Sequence, residues 1–337
     1  MDLADVGEFG FIRRINSLVT HQGPAIVTGI GDDAAVLAPP AGCEVLLSTD
    51  AMVEGRHFRR DWMSQRQIGA RAAAAALSDI AAMGGQAQAI LCTLCIDPHI
   101  RIEEAEDLFI GMQALAERFG AGLAGGDIVA ARGPMILDIV AVGTARTSCT
   151  WRRSGAREGD RLLLTGCLGD AAAAVDLLAS DDAISIDCFP NLLRALAEPI
   201  PRLDVARLLA ANSAIHAAID TSDGLLQDSG HIAEASGVGL QINAADVPVS
   251  RELLDCARLL RRDPLGWAVS GGEDFELLLA VEASAVEDIA GLLLEEGIRA
   301  AEIGAVVGGE GVALLDQDGD RLSPPARGWD HFSAEID

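Results

Sequence analysis

The chain has 337 residues, half of them apolar, with abundant Ala and Gly, so it can bury two cores and is neither disordered nor fibrous. Its 51 acidic residues outnumber 25 basic ones, and the formal charge of −26 excludes nucleic acid and anionic membranes as natural partners. Every basic residue is arginine, and the missing lysine closes the P-loop and protein-kinase routes to phosphate chemistry.

After a short amphipathic opening from Gly7-Glu8-Phe9 to Leu18, apolar runs predict strands near 25–30 and 44–48. Ile68, Ala72, Ala75, Ala76 and Ile80 recur at helical spacing, so a helix is expected over 64–83, stopped by Gly84-Gly85. A strand over 87–96, a helix over 102–119, a short strand ending at Gly125 and a strand over 134–144 complete the first half. The polar stretch 146–160 reads as the link, with domains expected at 1–147 and 148–337. The second half opens with a strand over 161–165, followed by Gly166-Cys167-Leu168-Gly169-Asp170 and an Ala-rich helix. Helices are expected over 190–197 and 202–211, a strand over 216–219, then the Asp220-Thr221-Ser222-Asp223-Gly224 turn and a helix to about 235. Strands at 239–242, 275–281 and 300–307 alternate with helices at 251–260 and 285–296. The pattern is α/β, or α+β with mixed sheets, in two mixed layers per half.

Seven scattered cysteines form no disulfide framework. Cys92 and Cys95 spell C-x-x-C, but on a strand they face opposite sides, which suits neither a metal nor a redox pair. No basic-then-apolar leader pattern and no bilayer-length apolar run is present, so a cytoplasmic location is expected.

Six acidic motifs carry the chemistry. Gly31-Asp32-Asp33, Ser48-Thr49-Asp50, Ser78-Asp79, Gly125-Gly126-Asp127, Asp220-Thr221-Ser222-Asp223 and Gly271-Gly272-Glu273-Asp274 set carboxylates beside small residues. Each alone is ordinary turn chemistry. Together they are the hard oxygen donors that magnesium takes beside substrate phosphates. Two like charges ~4 Å apart repel by about 4 kcal/mol at an effective dielectric near 20, so aspartates and polyphosphate are compatible only with cations between them. Asp50, directly after a strand, can face a crevice. Asp79, late in a helix, carries charge where the macrodipole opposes it and calls for another partner. Gly126 lets backbone approach phosphate closely, or is simply a strand-to-loop junction. Gly166-x-x-Gly169 is a weak phosphate signal or a tight turn. Arg152-Arg153-Ser154-Gly155 offers guanidinium donors for phosphate, or a solvated face. His57 is a candidate ligand-contacting residue or a structural histidine, and Trp329 covers a flat ligand ring or caps a core.

The ordered set is similar to that of the thiamine-monophosphate kinase family. The motifs are Gly7-Glu8-Phe9, Gly29-Ile30-Gly31-Asp32-Asp33, Ser48-Thr49-Asp50, Gly55-x-His57-Phe58, Leu77-Ser78-Asp79, Gly125-Gly126-Asp127, Arg153-Ser154-Gly155, Asp220-x-Ser222-Asp223-Gly224, Gly271-Gly272-Glu273-Asp274 and Gly328-x-Asp330-His331-Phe332. The resemblance implies a two-domain aminoimidazole ribonucleotide synthetase-like fold, paired as a homodimer through the N-terminal domains. It implies transfer of the γ-phosphoryl of ATP to thiamine phosphate, by direct in-line attack assisted by Mg2+, with Asp50 and Asp223 central to catalysis. By motif position, Asp33, Ser48, Thr49, Asp50, Asp79, Asp127, Asp220 and Asp223 would hold metal. Gly126, Arg153 and Ser222 would contact ATP, and His57, Glu273 and Trp329 would contact thiamine phosphate. Relatives in the same superfamily are the rivals. A selenophosphate synthetase would need an N-terminal reactive Cys with a lysine, a hydrogenase maturation factor a C-terminal Cys, and a purine-synthesis enzyme a different acceptor pocket. A cation-binding or thiamine-binding protein without activity is the reading from another class.

Overall fold

The structure, a computed structural model, describes residues 1–19, 23–180, 186–323 and 328. The chain divides into two compact units, Met1–Thr150 and Trp151–Asp337.

The first unit is built on four strands, β3 (Cys43–Val53), β4 (Gln86–Ile96), β5 (Gly122–Ala130) and β6 (Ile136–Arg146), in the order β3-β6-β4-β5. Only β4 and β5 are parallel, because α4 (Ile102–Arg118) crosses over between them. Helix α3 (Gln65–Ala82) lies beside α4. It starts where Ser64 accepts from the Gln67 N–H while the Gln67 side chain returns to the Ser64 N–H. It ends at Gly84, whose φ of 67° no β-branched residue would tolerate. Ile68, Leu77, Ile80, Leu108 and Met112 meet Ile90, Leu94, Leu137 and Ile139 in a core from which water is excluded. The two helices touch backbone to backbone. A Cβ on Gly69 would stand 1.9 Å from Leu108 O, and one on Gly111 1.9 Å from Arg66 O. Of the N-terminal helices α1 (Leu3–Val6) and α2 (Glu8–Leu18), the second sets Phe11 edge-on to Phe109, ring centres 5.8 Å apart.

The opposite face of this sheet is covered only in part. A ribbon of β1 (Ile26–Thr28) and β2 (Val36–Leu37) packs Ile26, Ala35 and Leu37 on Ala89, Leu91, Ala124 and Val142. Beyond it Val45, Leu47 and Val129 are 51%, 71% and 43% exposed, too apolar a surface to be indifferent to water.

The second unit has a six-stranded sheet in the order β12-β9-β11-β7-β10-β8, antiparallel except for β12 with β9. Its strands are β7 (Arg161–Thr165), β8 (Ile215–Asp220), β9 (Gly239–Asn243), β10 (Leu277–Val281), β11 (Ala300–Val307) and β12 (Gly311–Leu315). Helices α8 (Leu225–Ser236) and α10 (Pro264–Ser270) cover one face through Leu225, Ile232, Val269, Leu162, Leu164, Ile219 and Leu278. All five residues of β10 are buried, so the sheet is covered on both faces and this half has three layers rather than the expected two. The remaining helices are α5 (Asp170–Ala179), α6 (Pro190–Ala197), α7 (Leu203–Leu209), α9 (Arg251–Leu260) and α11 (Val286–Glu295). Among the described residues no helix is long and apolar enough to cross a membrane.

Cys92 is buried and Cys95 half-exposed, as expected of opposite faces of one strand. Two junctions fall elsewhere than the sequence suggested. Asp50 lies inside β3, which runs on to Val53 because its whole length pairs with β6, from Cys43↔Arg146 to Val53↔Ile136. Gly125-Gly126-Asp127 likewise lies within β5, not after it.

Candidate active site

In the first unit, alternation along β3 splits the expected metal ligands between the two faces of the sheet. Ser48 and Asp50 share the helix-covered face with Met52, and the Ser48 hydroxyl donates to the Asp79 carboxylate reaching down from α3. The charge that opposes the macrodipole in α3 thus has a hydroxyl partner. Thr49 points the other way and donates to Asp138 Oδ1 at 2.7 Å. Asp127 faces that same side, in register with Thr93, which is itself opposite Asp138. Gly126 brings β5 against β4 so closely that a Cβ would stand 1.9 Å from Cys92 O. Asp33 is exposed in the turn between β1 and β2, and its N–H donates to Asp32 Oδ1.

His57 sits in a turn after β3. Its Nδ1 accepts from the Val53 N–H at 3.0 Å, and its own N–H donates to Val53 O. A ring nitrogen that accepts carries no proton, so in the neutral imidazole the hydrogen lies on Nε2.

In the second unit, Asp220 ends β8 with 3% exposure, and the next four residues form a turn held from inside. The N–H groups of Ser222, Asp223 and Gly224 all donate to Asp228 Oδ2, at 3.1, 3.2 and 3.0 Å. Burial, then the Asp220 and Asp223 carboxylates, push the Asp228 carboxyl up to about 8, against the pull of those amides. The turn is also laced to the loop before β10, where Glu273 N–H donates to Ser222 O at 2.7 Å and Phe275 N–H to Thr221 O at 2.9 Å. Glu273 and Phe275 hold φ values of 70° and 51°, a costly left-handed backbone that these ladder bonds impose. Between them Asp274 accepts from the Gly169 N–H through both oxygens. Desolvation, with Asp170, Glu276 and Glu273 adding negative charge, raises the Asp274 carboxyl well above the ordinary carboxylate range. A Cβ on Gly328 would stand 2.7 Å from Asp223 O, while Trp329 lies outside the described residues.

Arg153 is exposed on the segment leading into β7 and, among the described residues, pairs with no carboxylate. In a chain with two acids for each arginine, such a guanidinium is available for an anionic ligand.

Among the described residues no group of three or more His, Cys, Asp or Glu side chains is arranged to hold a metal ion. The expected ligands form smaller sets: Ser48, Asp50 and Asp79 on one face of the first sheet, Asp127 on the other, and Asp220 with Asp223 at one turn of the second unit. All are hard oxygen donors. The mutual repulsion written into Asp228 is what a divalent cation would relieve, so the donor chemistry fits magnesium. Asp138, Asp228 and Asp274 organise these groups; Asp274 lay within a motif already singled out, whereas Asp138 and Asp228 escaped the sequence reading. Of these two, only Asp228 left a trace there, as an acid in the first turn of a helix after a Gly.

Residues 31–145 match the family described as AIR synthase related protein, N-terminal domain, and residues 157–317 match its C-terminal domain. Thiamine-monophosphate kinase from Mycobacterium tuberculosis is 37% identical over 277 residues, 82% of this chain and 81% of that protein. The enzyme of that name from Synechococcus elongatus is 33% identical over 98% of both chains. Among solved structures, the thiamine-monophosphate kinase of Stenotrophomonas maltophilia K279a superposes with a TM-score of 0.81 at 33% identity, over 94% of this chain and 98% of that one. AaThiL complexed with AMPPCP and TMP gives 0.77 at 28% identity, over 98% and 99%. Escherichia coli HypE, a hydrogenase maturation protein, shares the fold with a TM-score of 0.76 at 24% identity over 96% and 98%. With both family domains matched and relatives 37% and 33% identical over most of its length, the chain belongs to the thiamine-monophosphate kinase family.

Proposed function

We propose that this chain transfers the γ-phosphoryl of ATP to thiamine phosphate, giving thiamine diphosphate and ADP. Support comes first from the turn at Asp220–Gly224. The backbone amides of Ser222, Asp223 and Gly224 are already spent on Asp228, so the turn is left with the Asp220 and Asp223 carboxylates beside a single hydroxyl, that of Ser222. A polyphosphate can approach such a turn only through cations. Further support is that a structural neighbour covering the whole chain holds AMPPCP and TMP.

Asp33, Ser48, Thr49, Asp50, Asp79, Asp127, Asp220 and Asp223 would hold magnesium. The Thr49 hydroxyl, which gives its hydrogen to Asp138, keeps its oxygen lone pairs for a cation, as the Ser48 hydroxyl does beside Asp79. Magnesium would supply charge neutralisation between the two phosphates. Arg153, Ser222 and the close-lying strand at Gly126 bind the nucleotide. His57 donates from Nε2 to the acceptor, and Glu273 and Trp329 complete the thiamine phosphate contacts. The acceptor is a phosphate oxygen already largely ionised near neutral pH, so no side chain has to take its proton. The chain's own task is alignment, and in-line transfer without a phosphoenzyme follows from it. In this reading residues 1–147 bind ATP and metal, and residues 148–337 complete the site. The bare apolar face at Val45, Leu47 and Val129 pairs two copies in a homodimer, and the enzyme works in the cytoplasm.

The test is ADP release measured with thiamine phosphate, thiamine and purine-pathway intermediates, each with and without Mg2+. Turnover with thiamine phosphate that stops on chelation is expected, and falls steeply in Asp50→Asn and Asp223→Asn. Binding of ATP without any ADP release would leave only a binding protein.

A further inference from the structure

The 152–156 segment that carries Arg153 has no helix or strand of its own, yet its backbone is fixed. Arg152 O accepts from the Ala218 N–H of β8 at 2.9 Å. Gly155, with φ of 117°, lies so near β8 that a Cβ there would stand 2.6 Å from His216 O. Between these points one side chain does the rest. Ser236, the last residue of α8, donates to Arg153 O at 3.1 Å and accepts from the Gly155 and Ala156 N–H groups at 3.1 and 3.2 Å. A hydroxyl has one donor and two acceptor sites, and all three are spent on this loop. Downstream, the loop is closed by Asp160, which accepts from the Arg157 N–H at 2.8 Å and faces His216 Nδ1 at 2.9 Å.

We propose that Ser236 is a positioning residue for phosphoryl transfer, its hydroxyl holding the backbone around Arg153 so that the guanidinium meets the ATP phosphates already aimed. The proposal rests on the reading that Arg153 contacts ATP. Helix α8 then serves the nucleotide from both ends, carrying the acidic Asp220–Gly224 turn before its first residue and the arginine clamp on its last. Without the hydroxyl, the Gly155 and Ala156 amides and the Arg153 carbonyl turn to water, and the loop samples conformations in which Arg153 points elsewhere. Binding then bears an ordering cost that the native loop has already met.

The experiment is steady-state kinetics of the full chain with both substrates varied, for Ser236→Ala, Ser236→Thr, Arg153→Gln and the Ser236→Ala/Arg153→Gln pair. Ser236→Ala is expected to raise KM for ATP about 10-fold, the scale of one or two net hydrogen bonds, with KM for thiamine phosphate and the melting temperature nearly unchanged. Ser236→Thr, which keeps the oxygen, restores KM for ATP to within about 2-fold of the parent. On the Arg153→Gln background Ser236→Ala adds nothing, because there is no guanidinium left to aim. The proposal is overturned if Ser236→Ala keeps the parental KM for ATP, if its factor multiplies that of Arg153→Gln in full, or if both KM values and the melting temperature move together. If Arg153→Gln itself leaves KM for ATP unchanged, the reading of Arg153 is what fails, and it takes the proposal with it.

Discussion

Asp228 gives the sharpest test of how the acidic turn is built. The group is 2% exposed and its carboxyl is pushed up to about 8, first by burial and then by Asp220 and Asp223. In the unfolded chain it returns to the ordinary value near 3.8. The unfolded state therefore gives up its proton long before the folded state does. Stability from this group is complete below about pH 4, is lost as pH rises toward 8, and levels off above. A displacement of about four pH units at ~1.4 kcal/mol each sets a ceiling of about 5–6 kcal/mol, with a slope of up to ~1.4 kcal/mol per pH unit. Asp228→Asn keeps an oxygen for the three turn amides but cannot ionise, so it removes that slope. Urea unfolding of both proteins from about pH 5 to 8, in chelator, should give free energies that converge or cross as pH rises. The variant gains on the parent by several kcal/mol across that range. Magnesium should flatten the parental curve by reversing the effective sign of Asp220 and Asp223. Parallel curves to within about 0.5 kcal/mol would refute the argument.

Gly126→Ala should cost about 3 kcal/mol or more in urea unfolding, since a Cβ 1.9 Å from Cys92 O forces β5 away from β4. His57→Asn retains an acceptor for the Val53 N–H but loses the Nε2 donor, so KM for thiamine phosphate should rise about 10-fold while the melting temperature stays put. Leu47→Glu on the open sheet face should halve the mass seen in sedimentation equilibrium if two copies pair there, and an unchanged mass would remove that face from the interface.

Much of the fold was readable because local signals agreed with tertiary burial. The α3 helix combined an apolar stripe, a Ser64 cap and a Gly stop, and strand β7 and helix α9 lie where the apolar pattern predicts them. What stayed hidden depended on partners distant in sequence. Asp50 reads as a loop residue because Asp is a poor strand former, but eleven consecutive pairings with β6 keep the chain extended. Gly125-Gly126 reads as a break for the same reason, and pairing with β4 overrides it. Helix α10 carried its start signal, Asp263 capping Leu265 with Pro264 in the first turn, but seven residues are too few to show a period. Of the site, the acidic motifs could be picked out one by one. Which face of a sheet each would take, and that Asp228 would use up the amides of the Asp220 turn, follows only from packing.

The contact of α3 with α4 at Gly69 and Gly111 has a mechanical consequence. Asp79 stands ten residues further along α3, about 15 Å at 1.5 Å per residue, so the helix is a stiff arm with its fulcrum at the glycines. A single methyl group at the fulcrum would swing the far end, and the carboxylate would lift off Ser48 although nothing near it had changed. Tolerance to mutation in this unit should therefore be narrowest at a spot that no substrate ever touches.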